Sequence, residues 1–288
     1  MFSNKRTLGL FLALTSAVGF AFSNTFASLS YQSGVNPLTI TATRFILPGI
    51  ALVILLRMSG TGFILPKRPG LVAASLGFIS IIYTMALLSA IEVLPLAIAV
   101  LIFYLFPIFT ALMLALLGWR KLTPTMAVSG GIAFLGLGIA LGAEFENLDG
   151  WGLIYGLISA IGLATVSVIS NRLMTGYDPR QATLYMCVST TLIMVVISLI
   201  TGGYSIPVSS LGWTHFLISL SFFAYAMIGY YFCISLIGAG DTTFFSNLEP
   251  IVAVGTGFVF LGQALAPLQY IGITIVVCAL IYAGRKKE

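Results

Sequence analysis

Ten apolar runs, parted by short polar segments, follow one another at roughly 7–29, 36–57, 69–91, 94–118, 124–143, 151–172, 179–201, 210–237, 240–262 and 266–284. A helix of about 20 apolar residues, rising about 1.5 Å per residue, crosses the hydrocarbon core of a bilayer. A membrane barrel alternates polar and apolar residues at every second position, whereas the stretch from Ala97 to Leu117 is apolar almost throughout. The pattern predicts an all-α, polytopic membrane protein with ten transmembrane helices.

The runs form two sets of five. Leu8 to Ala21 aligns without a gap on Trp151 to Ala164, a shift of 143 positions, with Gly9/Gly152, Leu10/Leu153, Leu14/Leu157, Ser16/Ser159, Ala17/Ala160, Gly19/Gly162 and Ala21/Ala164 identical. The same shift carries Pro107 onto Pro250, Leu122 onto Leu265 and Pro124 onto Pro267, and the register slips by one between Pro37 and Pro179. An odd number of crossings obliges the second copy to enter the membrane from the opposite side. Residues 1–146 and 147–288 therefore read as two inverted five-helix repeats, the signature of a secondary transporter whose site lies near mid-bilayer. In the first helix of each copy, Gly, Ala and Ser recur at 9, 13, 16, 17 and 19 and at 152, 156, 159, 160 and 162. This spacing predicts a flat face for close helix packing, or for sliding during transport.

Composition removes the soluble alternatives. Hydrophobic residues are 59% of the chain and charged residues 7%, against about 25% charged in a soluble domain, and the mean hydropathy is +1.09. Lys and Arg accumulate in short cytoplasmic loops. With the N-terminus inside, Lys5, Arg6, Arg57, Lys67, Arg68, Arg120, Lys121, Arg172, Arg180, Arg285, Lys286 and Lys287 all fall on the cytoplasmic side, twelve of thirteen basic residues. Both termini are expected there, with Glu92, Glu144, Glu146 and Asp149 outside. The asymmetry accounts for the net charge of +5 and needs no nucleic-acid partner, since the basic residues form no clustered face. Cys187, Cys233 and Cys278 lie inside runs at no metal or redox spacing, so neither metal nor cofactor is expected. Lys5 and Arg6 ahead of an apolar run have the form of a signal peptide. The run is longer than a signal's apolar region and repeats internally at 151–172, so it reads as a retained first helix.

Candidate chemistry lies where polar groups interrupt the runs. Glu249 falls well inside the ninth run, where a carboxylate costs several kcal/mol unless paired or protonated. Pro250 beside it removes a backbone donor and loosens the helix, and Ser246 and Asn247 add polar groups within a turn. Such a carboxylate can bind a substrate amine, carry a coupling proton or hold two helices together. The first copy has Phe106, Tyr104 and Pro107 at the positions of Glu249, Asn247 and Pro250, offering aromatic surface where the second offers polarity. Arg44 is the basic residue that falls inside a run away from its ends. Its guanidinium can clamp a substrate carboxylate bidentately, snorkel, or pair with Glu92 or a helix end. Tyr83, Tyr104, Tyr225, Tyr230 and Tyr231 lie within runs, away from the interfacial belt, and each hydroxyl needs a partner from a cavity or a neighbouring helix. Asn24, Ser167 and Asn171 are further candidates for a cavity wall. His215, with no nearby carboxylate, reads as an interfacial residue.

An enzymatic reading has one foothold. Gly238-Ala239-Gly240-Asp241 and Tyr177-Asp178 have the form of the paired signatures of intramembrane aspartyl proteases. That chemistry needs two carboxylates sharing a proton. Asp178 instead precedes Pro179 in a turn, and Asp241 opens the ninth run, where a carboxylate complements a helix N-terminus. No Gly-rich phosphate loop with a following Lys occurs, and a serine or metal hydrolase needs more histidines. Transport is the expected activity.

Leu248-Glu249-Pro250-Ile251-Val252 leading to Leu261-Gly262, its counterpart Leu105-Phe106-Pro107 leading to Leu117-Gly118, and the Arg44-Phe45 pair together resemble the ten-helix EamA-type branch of the drug/metabolite transporter superfamily, over the whole chain. Where that family commonly follows Leu-Gly with glutamate, Trp119 and Gln263 stand here. The resemblance implies export of small metabolites across the bacterial inner membrane, and within the family the chain looks like the exporters of aromatic and other neutral amino acids. An alternating-access exporter is then expected, with Glu249, Asn247, Tyr83, Tyr104, Tyr230, Arg44 and Asn24 at the substrate and Pro107 and Pro250 loosening the gating helices. Its partners are a small-molecule substrate, an amino acid, and the lipid bilayer; a monomer is compatible with all of this. The rivals are a multidrug or lipid-precursor carrier, and a sensor or scaffold of transporter ancestry.

Overall fold

The computed structural model describes residues 2–94, 96–142, 148–261 and 266–285, and every regular element among them is a helix. In chain order these are α1 (Phe2–Tyr31), α2 (Pro37–Thr43), α3 (Ile46–Met58), α4 (Lys67–Val93), α5 (Leu96–Phe103), α6 (Phe106–Leu116), α7 (Pro124–Leu141), α8 (Gly150–Gly176), α9 (Pro179–Thr201), α10 (Ser210–Phe245), α11 (Leu248–Leu261) and α12 (Pro267–Arg285). Eight described helical stretches are long and apolar enough to cross a bilayer, and Leu248–Phe260 and Pro267–Tyr282 are shorter apolar helices. The ten runs are all present, because three of them are built from two helical pieces each.

Those three runs are interrupted at Arg44–Phe45, Tyr104–Leu105 and Ser246–Asn247, shortly before Pro48, Pro107 and Pro250. A proline offers no N–H to the carbonyl four residues back, and its ring crowds that carbonyl, so the ladder gives way in the preceding turn. The Leu105 N–H turns to the Ile102 carbonyl at 3.0 Å and the Asn247 N–H to the Phe244 carbonyl at 3.2 Å, the three-residue reach of a tightened turn. Pro107 and Pro250 thus each follow closely on an interrupted turn. The interruption ahead of Pro48 was not expected from the sequence, and the corresponding stretch of α9 runs unbroken.

The 36-residue α10 is two arms, 210–237 and 239–245, joined at Gly238 with φ 83° and ψ 162°. This backbone region is essentially restricted to glycine. One residue therefore separates the two arms. The equivalent position in the first copy, Pro95, lies outside the described residues.

The helices gather into two compact units, residues 1–81 with 169–237 and residues 82–168 with 238–288. Each unit draws on both sequence repeats. In the first, α1 lays its small-residue face along the longer arm of α10. Ser23 and Ser219 each donate a hydroxyl to the other's carbonyl, at 2.9 and 2.8 Å, and a methyl group on Gly19 would fall 3.0 Å from the Ala226 Cβ. Thr190 donates to the Gly77 carbonyl at 3.2 Å, fastening α9 to α4.

In the second unit, Gly272 of α12 meets the Ala140 backbone of α7 with no room for a side chain, and Gln269 Nε2 donates to the Ala140 carbonyl at 3.0 Å. α8 sets Gly152, Gly156 and Gly162 against Leu94, Ile102 and Tyr83, where a Cβ would fall 2.5, 2.8 and 2.6 Å from those side chains. The small-residue stripe therefore serves packing in both copies, by letting backbones approach where lipid tails offer no hydrophobic drive to associate.

Candidate functional site

In the second unit a cavity of ≈ 240 Å³ lies beside the interruptions of the fourth and ninth runs. α6 lines it with Pro107, Ile108, Ala111 and Leu112, α7 and its approach with Leu122, Met126, Ala127, Gly130, Gly131 and Phe134, and the short arm of α10 with Gly240 and Phe244. Tyr104 and Asn247, from the two interruptions themselves, complete it. These two equivalent positions of the repeat thus open onto one space. The Tyr104 ring is buried between Phe103 and Phe106, with centroids 5.5 and 5.6 Å away. Asn247 Nδ2 donates to the Phe244 carbonyl at 2.7 Å, which folds the amide against its own chain and leaves its oxygen for the cavity.

Glu249 and Tyr83 are not among the lining residues. Glu249 is half-buried in the first turn of α11, with its N–H on the Ser246 carbonyl at 2.9 Å. The exposed N–H groups and the dipole of a helix start favour an anion, which offsets part of the cost of a carboxylate at membrane depth. Tyr83 is half-buried on α4, against Gly162 of α8.

The remaining expected residues, Arg44, Asn24 and Tyr230, belong to the first unit. Arg44 caps the C-terminus of α2, the helix end whose carbonyls favour a cation. Its guanidinium carbon stands 4.1 Å from the Phe223 ring centroid, and Nη2 is 3.5 Å from Asn24 Oδ1. Phe223 meets Phe20 and Phe45 edge-on at 5.7 and 5.3 Å, and Phe20 meets Tyr230 at 6.2 Å. Sequence reasoning passed over Phe223, although the aromatic density of Phe222-Phe223 and Tyr225 in the eighth run was a usable signal. The Glu92 side chain and Gln263 lie outside the described residues.

The two embedded charges obey one rule. Arg44 sits at the C-terminal end of the helix piece before Pro48, and Glu249 at the N-terminal end of the piece containing Pro250. In each case a proline creates a helix end inside the run, and the charge complements that end.

Other polar residues have local duties. The Tyr225 hydroxyl donates to Thr15 Oγ1 at 2.9 Å on an exposed face, an interhelical bond and not a cavity wall. Ser167 donates to the Leu163 carbonyl at 2.8 Å, and His215 packs on Phe26 at 5.8 Å. The protease signature finds no dyad: Asp178 is paired with Arg180 at 2.6 Å and Asp241 with Arg120 at 2.8 Å.

Comparison with known proteins follows the same lines. The family model described as the EamA-like transporter family matches residues 7–142 and again 150–285. The chain is 27% identical to the uncharacterized inner membrane transporter YedA of Escherichia coli, over 85% of this chain and 80% of that protein. It is 26% identical to the uncharacterized transporter sll1319 of Synechocystis sp., over 99% and 95%. A solved crystal structure, 20% identical, matches with a TM-score of 0.79 over 96% of both chains, and so shares the fold. With each half matched in turn, the chain is a multi-pass membrane transporter and belongs to the EamA-like transporter family.

Proposed function

We propose that this transporter exports neutral amino acids, aromatic ones included, by alternating access of its two inverted repeats, with both termini in the cytoplasm. The reading is supported in the first unit by Arg44 on the Phe223 face and the buried Tyr230, and in the second by Glu249 in the first turn of α11 and the buried Tyr104. A neutral amino acid presents one carboxylate, one ammonium and an uncharged side chain. A guanidinium fork suits the carboxylate, and Glu249 suits the ammonium. Helix pieces joined at Pro48, Pro107 and Pro250 can change tilt without breaking a regular ladder, since proline sites are where helices bend. The topology rests on the twelve basic residues assigned to one side.

The test is counterflow of labelled phenylalanine and alanine in proteoliposomes. Wild type exchanges both. Glu249→Gln loses roughly 10- to 100-fold in flux, the equivalent of one charged hydrogen bond of about 1.5–3 kcal/mol. Absence of any amino-acid flux by wild type refutes the substrate class, and full activity of Glu249→Gln refutes the role of that carboxylate. The mostly apolar lining of the second unit's cavity supports a second reading, a carrier of amphipathic drugs or lipid precursors. A labelled lipophilic cation in the same vesicles separates the two.

A further inference from the structure

We propose that the cavity walled by α6, α7 and the short arm of α10 receives the apolar side chain of the transported amino acid, and that Gly130 and Gly131 set its size limit. This deepens the export reading and rests on it.

Size comes first. An apolar cavity of about 150 Å³ already accepts benzene, so one of ≈ 240 Å³ has room for a phenylalanine or tryptophan side chain. The chemistry agrees, because Met126, Phe134 and Phe244 supply sulfur and aromatic surface suited to ring contacts. One orienting polar group serves a mostly apolar pocket. Asn247 is only 4% exposed, and with its nitrogen held by the Phe244 carbonyl its oxygen can accept from an indole N–H or a phenol.

The glycines supply an independent argument. A glycine inside a helix costs about 1 kcal/mol relative to alanine, and close packing is the usual return. Gly136, further along α7, has that role, since a Cβ there would fall 2.7 Å from Ile275. At Gly130 and Gly131 a Cβ meets nothing within 4 Å, yet both line the cavity. They hold space open, and a larger residue there occupies the cavity without displacing a neighbouring backbone.

The test uses Gly130→Leu, Gly131→Leu and, as a control, Gly255→Ala in the full-length transporter. Two readouts are taken: the saturable rise in Tm given by indole in detergent, and the phenylalanine-to-alanine flux ratio in proteoliposomes. Indole stabilises wild type and Glu249→Gln but neither leucine variant. The leucine variants lower phenylalanine flux at least about tenfold relative to alanine flux, the discrimination expected of a filled apolar pocket, while Gly255→Ala, away from the lining, stays near wild type. Retained alanine flux shows that the leucine variants fold. An unchanged flux ratio, an equal loss of both substrates, or no indole effect on wild type overturns the proposal. So does an unchanged ratio accompanied by loss of co-purified phospholipid, which assigns the cavity to an acyl chain. Absence of all amino-acid flux from wild type instead overturns the export reading, with the indole response intact.

Discussion

The guanidinium of Arg44 lies 4.1 Å over the ring of Phe223, so the cation that interrupts the second run rests on an aromatic face. The ring quadrupole attracts the charge by about 0.5–2 kcal/mol and supports a planar group with its fork still able to meet a carboxylate. Lysine keeps the charge but neither the plane nor the fork. Arg44→Lys is therefore expected to raise the KM for an amino acid about tenfold with a smaller change in kcat. A double-mutant cycle of Arg44→Gln with Phe223→Leu should give a coupling of about 0.5–2 kcal/mol in unfolding. Zero coupling refutes the stacking.

How much of this was legible in the chain depends on the kind of signal. Hydropathy located all ten runs, because the bilayer demands continuous apolar length, and Pro107 and Pro250 announced their interruptions through a property of proline itself. Pro48 has the same property, but Arg44, four residues earlier, is the more conspicuous letter in that run. Phe223 and the cavity are different. An aromatic ring in an apolar helix has the same sequence signature whether it packs or carries a cation. Gly130 and Gly136 are likewise alike as letters, and only the neighbouring Ile275 tells a glycine that packs from one that leaves space. Asn247 and Glu249 lie two residues apart, yet only Asn247 lines the cavity, a difference that the letters do not carry.

Arg120 and Asp241 are joined at 2.8 Å, with side chains 27% and 29% exposed. Asp241 follows the lining residue Gly240, whose missing side chain admits the guanidinium, since a Cβ there would fall 2.8 Å from Arg120 Nη1. The pair thus fastens the connection between α6 and α7 to the short arm of α10, at the rim of the cavity. Partly exposed ion pairs contribute about 0–1 kcal/mol. Asp241→Asn should lower unfolding stability by no more than about 1 kcal/mol, and the loss should shrink at high salt. Exchanging the two charges should restore it; a swap that behaves like the single variant rules out the pair as the cause.

Asp178 joins two functions in one carboxylate. Its Oδ1 accepts the Arg180 N–H at 2.9 Å, capping α9, and Arg180 also donates Nε and Nη2 to it at 3.0 and 2.6 Å. Arg180 reaches on to Ser59 Oγ at 2.9 Å and Thr61 Oγ1 at 3.2 Å, tying the start of α9 to the segment after α3. The Arg180 side-chain bonds, aided by its backbone N–H and charge, hold the Asp178 carboxyl below its ordinary value of 3.8, against the opposing effect of burial. A folded-state value below the unfolded one means stability that is present above pH 3.8 and lost as pH falls through the folded value. Asp178→Asn keeps a capping oxygen and should differ from wild type at neutral pH but converge with it in acid. Asp178→Ala also loses the cap, about 0.5–2 kcal/mol, and should stay below both at every pH. Parallel Asn and wild-type curves across the acid range contradict the ion-pair account.

Gly238 alone joins the two arms of α10. At φ 83° and ψ 162° a Cβ collides with its own backbone, and a residue forced there costs about 1–3 kcal/mol. The tetrapeptide that resembles a protease signature therefore has a conformational reason for its first glycine and a packing reason for its second, where Arg120 approaches Gly240. Gly238→Ala is expected to lower unfolding stability in bicelles by about 1–3 kcal/mol. Gly255 is the control, because it lies within α11 and a Cβ there meets nothing within 4 Å. Gly255→Ala should be neutral or stabilising by up to about 1 kcal/mol, from helix propensity alone. If the two alanines behave alike, the backbone at Gly238 does not require glycine, and the single-residue passage between the arms has another cause.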